Sequence, residues 1–80
     1  MTARKRLAWQ CRRGMLELDI LLGQFFEQRF DALQEQQQRA FEDLLSYPDQ
    51  MLYDYLMGNS RPSNPAIAYV IDQIRQPTDY

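Results

Sequence analysis

Met15-Leu16-Glu17-Leu18-Asp19-Ile20-Leu21-Leu22-Gly23-Gln24-Phe25-Phe26-Glu27-Gln28-Arg29-Phe30 is the stretch whose reading decides the fold. Leu18, Leu21, Leu22, Phe25, Phe26 and Phe30 recur at spacings of three and four, which lines them along one side of a helix. A helix from about Met15 to Phe30 is therefore expected at the centre of the core. Gly23 falls inside it, where glycine costs about 1 kcal/mol relative to alanine, so a close helix contact or a bend is expected there. The continuous apolar part, Leu16 to Leu22, is interrupted by Glu17 and Asp19 and is far too short to span a bilayer.

Upstream, Leu7, Ala8 and Cys11 give a short first helix one narrow apolar stripe, with Trp9 and basic residues around it. Downstream, Asp31-Ala32-Leu33-Gln34 offers a capping box, with the start of the next helix open by about three residues. A third helix follows from about Glu35 to Ser46, with Ala40, Phe41, Leu44 and Leu45 on its apolar side. Tyr47-Pro48-Asp49 ends it, because proline disfavours helix at the residue before it, and Asp49 is placed to cap a fourth helix running to Met57. Gly58-Asn59 stops that helix. Pro62 and Pro65 break the next stretch, and Pro65 suits the first position of a fifth helix behind an Asn64 cap. Ile67, Val70, Ile71 and Ile74 form its stripe before Pro77 ends it. The fold class is all-α, a small bundle of about five helices. Phe25, Phe26, Leu44, Leu45, Ile67, Val70 and Ile71 are expected to be buried, and Tyr47, Tyr53, Tyr55 and Tyr69 to be mainly core.

Eighty residues, 45% apolar and 25% charged, make one domain (residues 1–80), its ends fraying at 1–3 and 76–80. A chain this short buries only about 60 to 65% of its unfolded surface, so its core is small. The single cysteine, Cys11, has no internal disulfide partner, and the absence of histidine removes any Cys/His metal site. A reducing compartment follows. No continuous apolar segment follows the basic start, which argues against a secretory signal, and a cytoplasmic location is expected.

Charge divides sharply at one corner. Residues 1–13 hold Arg4, Lys5, Arg6, Arg12 and Arg13 and no acid, whereas the remainder holds four basic residues and eleven acids, so the parts are formally +5 and -7. Gly14 marks the boundary. One reading is structural: a glycine closing the first helix at its C′ position, with Arg12 and Arg13 at the negative end of the helix dipole. The other adds that glycine leaves backbone uncovered beside an arginine whose fork grips a carboxylate or phosphate, a corner suited to a partner's cleft. Trp9 among the cations suits an interface anchor, or else it covers the core.

Catalytic chemistry is poorly supplied. There is no histidine, no glycine-rich phosphate loop and no nucleophile set. Glu17 and Asp19 project about 200° apart on a helix and cannot share one substrate. Glu17 lies in the first turn of the second helix, where it is placed to return to the backbone near Gly14 as a cap. A pI near 4.9 opposes the long-range attraction on which nucleic-acid binding depends. Cys11 reads as small core filler, although its basic neighbours leave a lowered pKa open.

Arg12-Arg13-Gly14-Met15-Leu16-Glu17-Leu18-Asp19-Ile20 resembles the signature of the succinate dehydrogenase assembly factors, a family of flavinylation factors whose hallmark is Arg-Gly-x-x-Glu. The likeness continues through Leu21-Leu22-Gly23-Gln24-Phe25-Phe26, Leu44-Leu45-Ser46-Tyr47-Pro48-Asp49 and Leu52-Tyr53-Asp54-Tyr55-Leu56-Met57-Gly58, covering roughly residues 4 to 75. It implies a five-helix assembly factor, not an enzyme, that binds the flavoprotein subunit of succinate dehydrogenase, and of the related fumarate reductase, and promotes covalent attachment of FAD. The FAD would belong to the partner, none being bound tightly by this chain, with no nucleic acid and no membrane insertion. Carried over residue by residue, the partner-binding positions are Arg13, Gly14 and Glu17, with Asp19 adjoining and Trp9 on the preceding helix. Gln36, Gln37, Gln38 and Tyr55 depart from the family pattern; Tyr55 stands where tryptophan is commoner. A generic helical adaptor or nucleic-acid-binding domain sharing the signature is the alternative.

Overall fold

The computed structural model describes residues 3–75, and all that follows concerns these. Five helices form in the expected order: α1 (Ala3–Gln10), α2 (Leu16–Arg29), α3 (Glu35–Leu44), α4 (Asp49–Met57) and α5 (Pro65–Arg75). A single 3-10 turn, Phe30–Ala32, prolongs α2. No strand occurs among the described residues, in keeping with an all-α chain. Ala3, expected to fray, begins α1; the other residues expected to fray, 1–2 and 76–80, and the stop at Pro77 lie outside the described residues.

The core follows the apolar spacing. Leu18, Leu22, Phe41, Leu44, Leu52 and Val70 are wholly inaccessible, and Phe25, Phe26, Leu45, Ile67 and Ile71 are buried beside them. Leu21 is only half-buried, at the edge of the α2 stripe. Phe25, Phe26 and Phe30 gather around Phe41, with ring centroids 5.4 to 6.2 Å from it, and so join α2 to α3. Tilted aromatic pairs at such distances stabilise beyond their buried area. The α5 stripe closes the bundle against α3 and also meets α2 and α4. By contrast, α1 sends only Leu7 and the adjoining Cys11 into the core. Its outer end is tied by Arg4, which pairs with Asp31 at 2.7 Å and lies 4.8 Å from the Phe26 ring centroid.

Helix ends show where local reading held and where it slipped. Gly58 terminates α4 in the left-handed region (φ 82°), and the Asn64 carboxamide oxygen accepts from Ala66 N at 2.9 Å behind Pro65, both as expected. The box at the start of α3 is displaced by three residues. Gln34, extended at ψ 156°, precedes the helix, and its N–H donates to Gln37 Oε1 at 3.1 Å. Asp31 is instead held in the 3-10 turn, which keeps the chain coiled and leaves its carboxylate for Arg4. Helix α3 stops at Leu44 rather than Ser46, because Pro48 leads α4 and the intervening residues must turn.

Two further expectations are corrected. Nothing beyond its own helix backbone and chain neighbours lies within 4 Å of where a Gly23 Cβ would sit, so Gly23 makes no close contact with another helix; it borders an open groove of about 380 Å³ shared by Ala8, Cys11, Arg12 and Phe26. Tyr69 is exposed, being off the stripe formed by Ile67, Val70, Ile71 and Ile74. Tyr47, Tyr53 and Tyr55 are partly buried against the core, and the rings of Tyr47 and Tyr55 meet edge to face at 6.2 Å. None of the described helices is long and apolar enough to cross a membrane.

Candidate functional site: the Arg13-Gly14 corner

Helix α1 ends at Gln10, but its last hydrogen bonds run on into the connection, from Cys11 N to Leu7 O at 3.1 Å and from Arg12 N to Trp9 O at 3.0 Å. Cys11 is sunk in the core there and acts as the pivot. Its thiol is pushed up to about 11 by burial, which outweighs the opposing charge of Arg13. The thiol therefore fills space, and the lowered pKa left open by its basic neighbours is overturned.

Gly14 adopts φ 85°, the left-handed region that disfavours any side chain but glycine's. It is not the residue that closes α1, which ended at Gln10; it turns the chain between two helices into extended Met15 (φ -112°, ψ 116°) ahead of α2. Nothing lies within 4 Å of a built Cβ on Gly14, so its outer side faces open space.

Asp19 secures this turn. Its Oδ1 accepts from Arg13 N at 2.6 Å, reaching back over the first turn of α2, where a carboxylate also suits the helix dipole. Asp19 thus makes the return to the backbone beside Gly14 that was expected of Glu17, which is exposed.

The Arg13 guanidinium points inward, its side chain only 15% exposed. Nε donates to Asp49 Oδ1 at 2.8 Å, Nη1 to Leu45 O at 2.8 Å and Gln10 O at 3.0 Å, and Nη2 to Tyr47 O at 2.8 Å. Four of its five N–H donors are thereby engaged. Asp49 was expected to cap α4; it is the helix's first residue, makes no cap hydrogen bond, and turns its carboxylate to Arg13. The guanidinium therefore ties the α1–α2 connection to the α3–α4 junction.

One hydrogen bond thus joins Arg13, Gly14's neighbour, to Asp19, while Glu17 and Trp9 face solvent nearby in sequence. Trp9 is 64% exposed, not a cover for the core, and the Arg12 guanidinium carbon lies 5.9 Å from its ring centroid. Sequence reasoning missed Asp49 and the carbonyls of Leu45 and Tyr47 as partners of Arg13, and it missed the exposed apolar Leu16 and Ile20 on the outer side of α2. The Leu16–Ile20 spacing of four was a legible signal; a pairing across 36 residues was not. No cluster of three or more His, Cys, Asp or Glu side chains able to hold a metal occurs among the described residues. The corner is a connection braced by Arg13 and Asp19, with Gly14 exposed at its turn.

Residues 5–78 match the family described as flavinator of succinate dehydrogenase. The chain is 45% identical over 74 residues to a Coxiella burnetii protein named FAD assembly factor SdhE, covering 92% of this chain and 90% of that one. A protein of the same name from Photobacterium profundum is 49% identical over 71 residues, with 89% and 81% covered. A solution structure of a UPF0350 protein superposes with a TM-score of 0.75 at 45% identity, covering 92% of this chain and 81% of the other. The match over residues 5–78, with 45 to 49% identity to these relatives over most of both chains, places the chain in the family described as flavinator of succinate dehydrogenase.

Proposed function

We propose that this chain is a non-catalytic assembly factor that binds the flavoprotein subunit of succinate dehydrogenase, and the corresponding subunit of fumarate reductase, and promotes covalent attachment of FAD to it. The bond is made by the flavin and the partner; FAD belongs to that subunit and is not held tightly by this chain. The proposed location is the cytoplasm. The description of the family and the names of the relatives support the reading, and the observation that carries it is the Arg13-Gly14 corner. There, an inward arginine braces a left-handed glycine whose outer side is bare.

In this reading Gly14 lets the partner's backbone approach closely, with exposed Trp9 and Glu17 beside it as contacts. Arg13 and Asp19 act from behind, as the frame that holds the corner in shape. Such a frame reduces the ordering cost of binding, since the contact surface is already set before the partner arrives. FAD bound by the partner would supply the electrophilic centre, and the corner's part would be to hold that subunit in a shape in which its own donors face the flavin.

Gly14→Asn separates contact from folding. Asparagine tolerates the left-handed region better than other residues, so the domain should fold with a small loss of stability. A side chain at this position enters open space and meets nothing of its own fold. Co-expression with the flavoprotein subunit, followed by denaturing electrophoresis and in-gel flavin fluorescence, is expected to show strongly reduced covalent flavin. Wild-type flavinylation by a folded Gly14→Asn protein would overturn the assignment.

A further inference from the structure

We infer that Asp49, on α4, is a positioning residue for flavinylation: it sets the shape of the Arg13-Gly14 corner from a helix distant in sequence. The inference rests on the proposed function and adds a residue that neither the Arg-Gly-x-x-Glu pattern nor its immediate neighbours contain.

Both ends of Arg13 are held by carboxylates from different helices. Asp19 of α2 takes its backbone N–H at 2.6 Å, and Asp49 of α4 takes Nε at 2.8 Å. The peptide between Arg13 and Gly14 follows directly, so both holds bear on the left-handed turn at Gly14. Of the acceptors around the guanidinium, Asp49 is the charged one; the others are the carbonyls of Gln10, Leu45 and Tyr47. All four bonds are charge-assisted through the guanidinium, and Asp49 alone among the acceptors adds an opposite charge to it.

The α3–α4 junction is itself firm. Tyr47 stacks edge to face on Tyr55, Ser46 Oγ donates to Asp43 O at 2.6 Å, and Pro48 has its φ locked at -60°. An aspartate in the first turn of α4 would satisfy the dipole wherever its side chain pointed. That it turns to Arg13, 36 residues away, is the specific observation. With its side chain 43% exposed, Asp49 is open enough to be replaced without leaving a cavity.

A positioning role predicts weaker engagement of the partner rather than slower chemistry once engaged. In a titration of factor against apo-flavoprotein subunit with FAD present, Asp49→Ala should raise the concentration giving half-maximal covalent flavin roughly five- to ten-fold, by loss of preorganisation, with the plateau rate retained. Asp49→Asn, which keeps an acceptor oxygen without its charge, should fall between Asp49→Ala and wild type. The Gly14 amide resonance should shift in both variants. Ile67→Val, in the core between α3 and α5, lowers stability away from the corner and should leave the half-maximal concentration and the Gly14 resonance unchanged.

If Gly14→Asn impairs flavinylation while folded Asp49→Ala behaves as wild type, this inference fails and the proposed function stands. Should Gly14→Asn also flavinylate normally, the proposed function fails first. An equal defect in Ile67→Val would reduce the effect to general stability and overturn the inference. Where Asp49→Ala does not fold, Asp49→Asn carries the test, and an unmoved Gly14 resonance in it has the same consequence.

Discussion

Replacing Arg13 by alanine should destabilise this domain far more than a surface arginine would. The guanidinium makes four hydrogen bonds, to Asp49, Leu45, Tyr47 and Gln10. A hydrogen bond to a charged group contributes about 1.5 to 3 kcal/mol. These four are not additive, because one substitution frees all the acceptors together and water then reaches Asp49, already 43% exposed, and the neighbouring carbonyls. A net loss of about 2 to 4 kcal/mol is expected. Against a total of roughly 4 to 12 kcal/mol for a chain of this length, that is a large share. Urea denaturation followed by far-ultraviolet circular dichroism is the suitable assay, since Trp9 is 64% exposed and its fluorescence would report folding poorly. Arg13→Lys should recover roughly half the loss: the ammonium keeps a charge near Asp49 but, as a single point, cannot serve carbonyls on both sides of the guanidinium plane. A loss below about 1 kcal/mol for Arg13→Ala would show that the guanidinium does not brace the domain, and the frame described here would be refuted. For the same reason, reduced flavinylation by an Arg13 variant is interpretable only alongside its stability, whereas Gly14→Asn is the cleaner probe of contact.

Gly23→Ala should stabilise the protein by about 0.5 to 1 kcal/mol, because the residue is helical and open space surrounds the added methyl; a lowered melting temperature would contradict that geometry. Cys11 supplies a pH dependence. Its thiol is raised from the ordinary 9.0 to about 11, so between those values the unfolded chain releases a proton that the folded chain retains, and stability falls as pH rises. The contribution, up to about 2 to 3 kcal/mol, is complete below pH 9 and lost toward pH 11. Cys11→Ala should flatten this alkaline decline in denaturation midpoints measured across that range, and an unchanged decline would refute the assignment.

Periodicity in the chain was enough to determine five helices, their order and nearly the whole core, because each of these depends on residues three or four apart. Leu18, Leu22, Phe25 and Phe26 announce one side of α2, and Ile67, Val70, Ile71 and Ile74 announce one side of α5, whatever they pack against. Gly58 and the Asn64-Pro65 pair likewise act over a single turn. The Arg13-Gly14-x-x-Glu17 pattern marked the corner. What the corner is made of was decided by tertiary structure. Asp31 and Asp49 both read as helix caps, and each is instead claimed by an arginine brought near by packing, Arg4 for one and Arg13 for the other. Glu17 read as the carboxylate that returns to the backbone near Gly14, and the path of the chain through Gly14 brought Arg13 N to Asp19 instead. The inward turn of Arg13 has no local signature at all. An arginine beside a glycine reads as a free fork until the carbonyls of Leu45 and Tyr47 and the carboxylate of Asp49 converge on it, and that convergence exists only once α3 and α4 have packed.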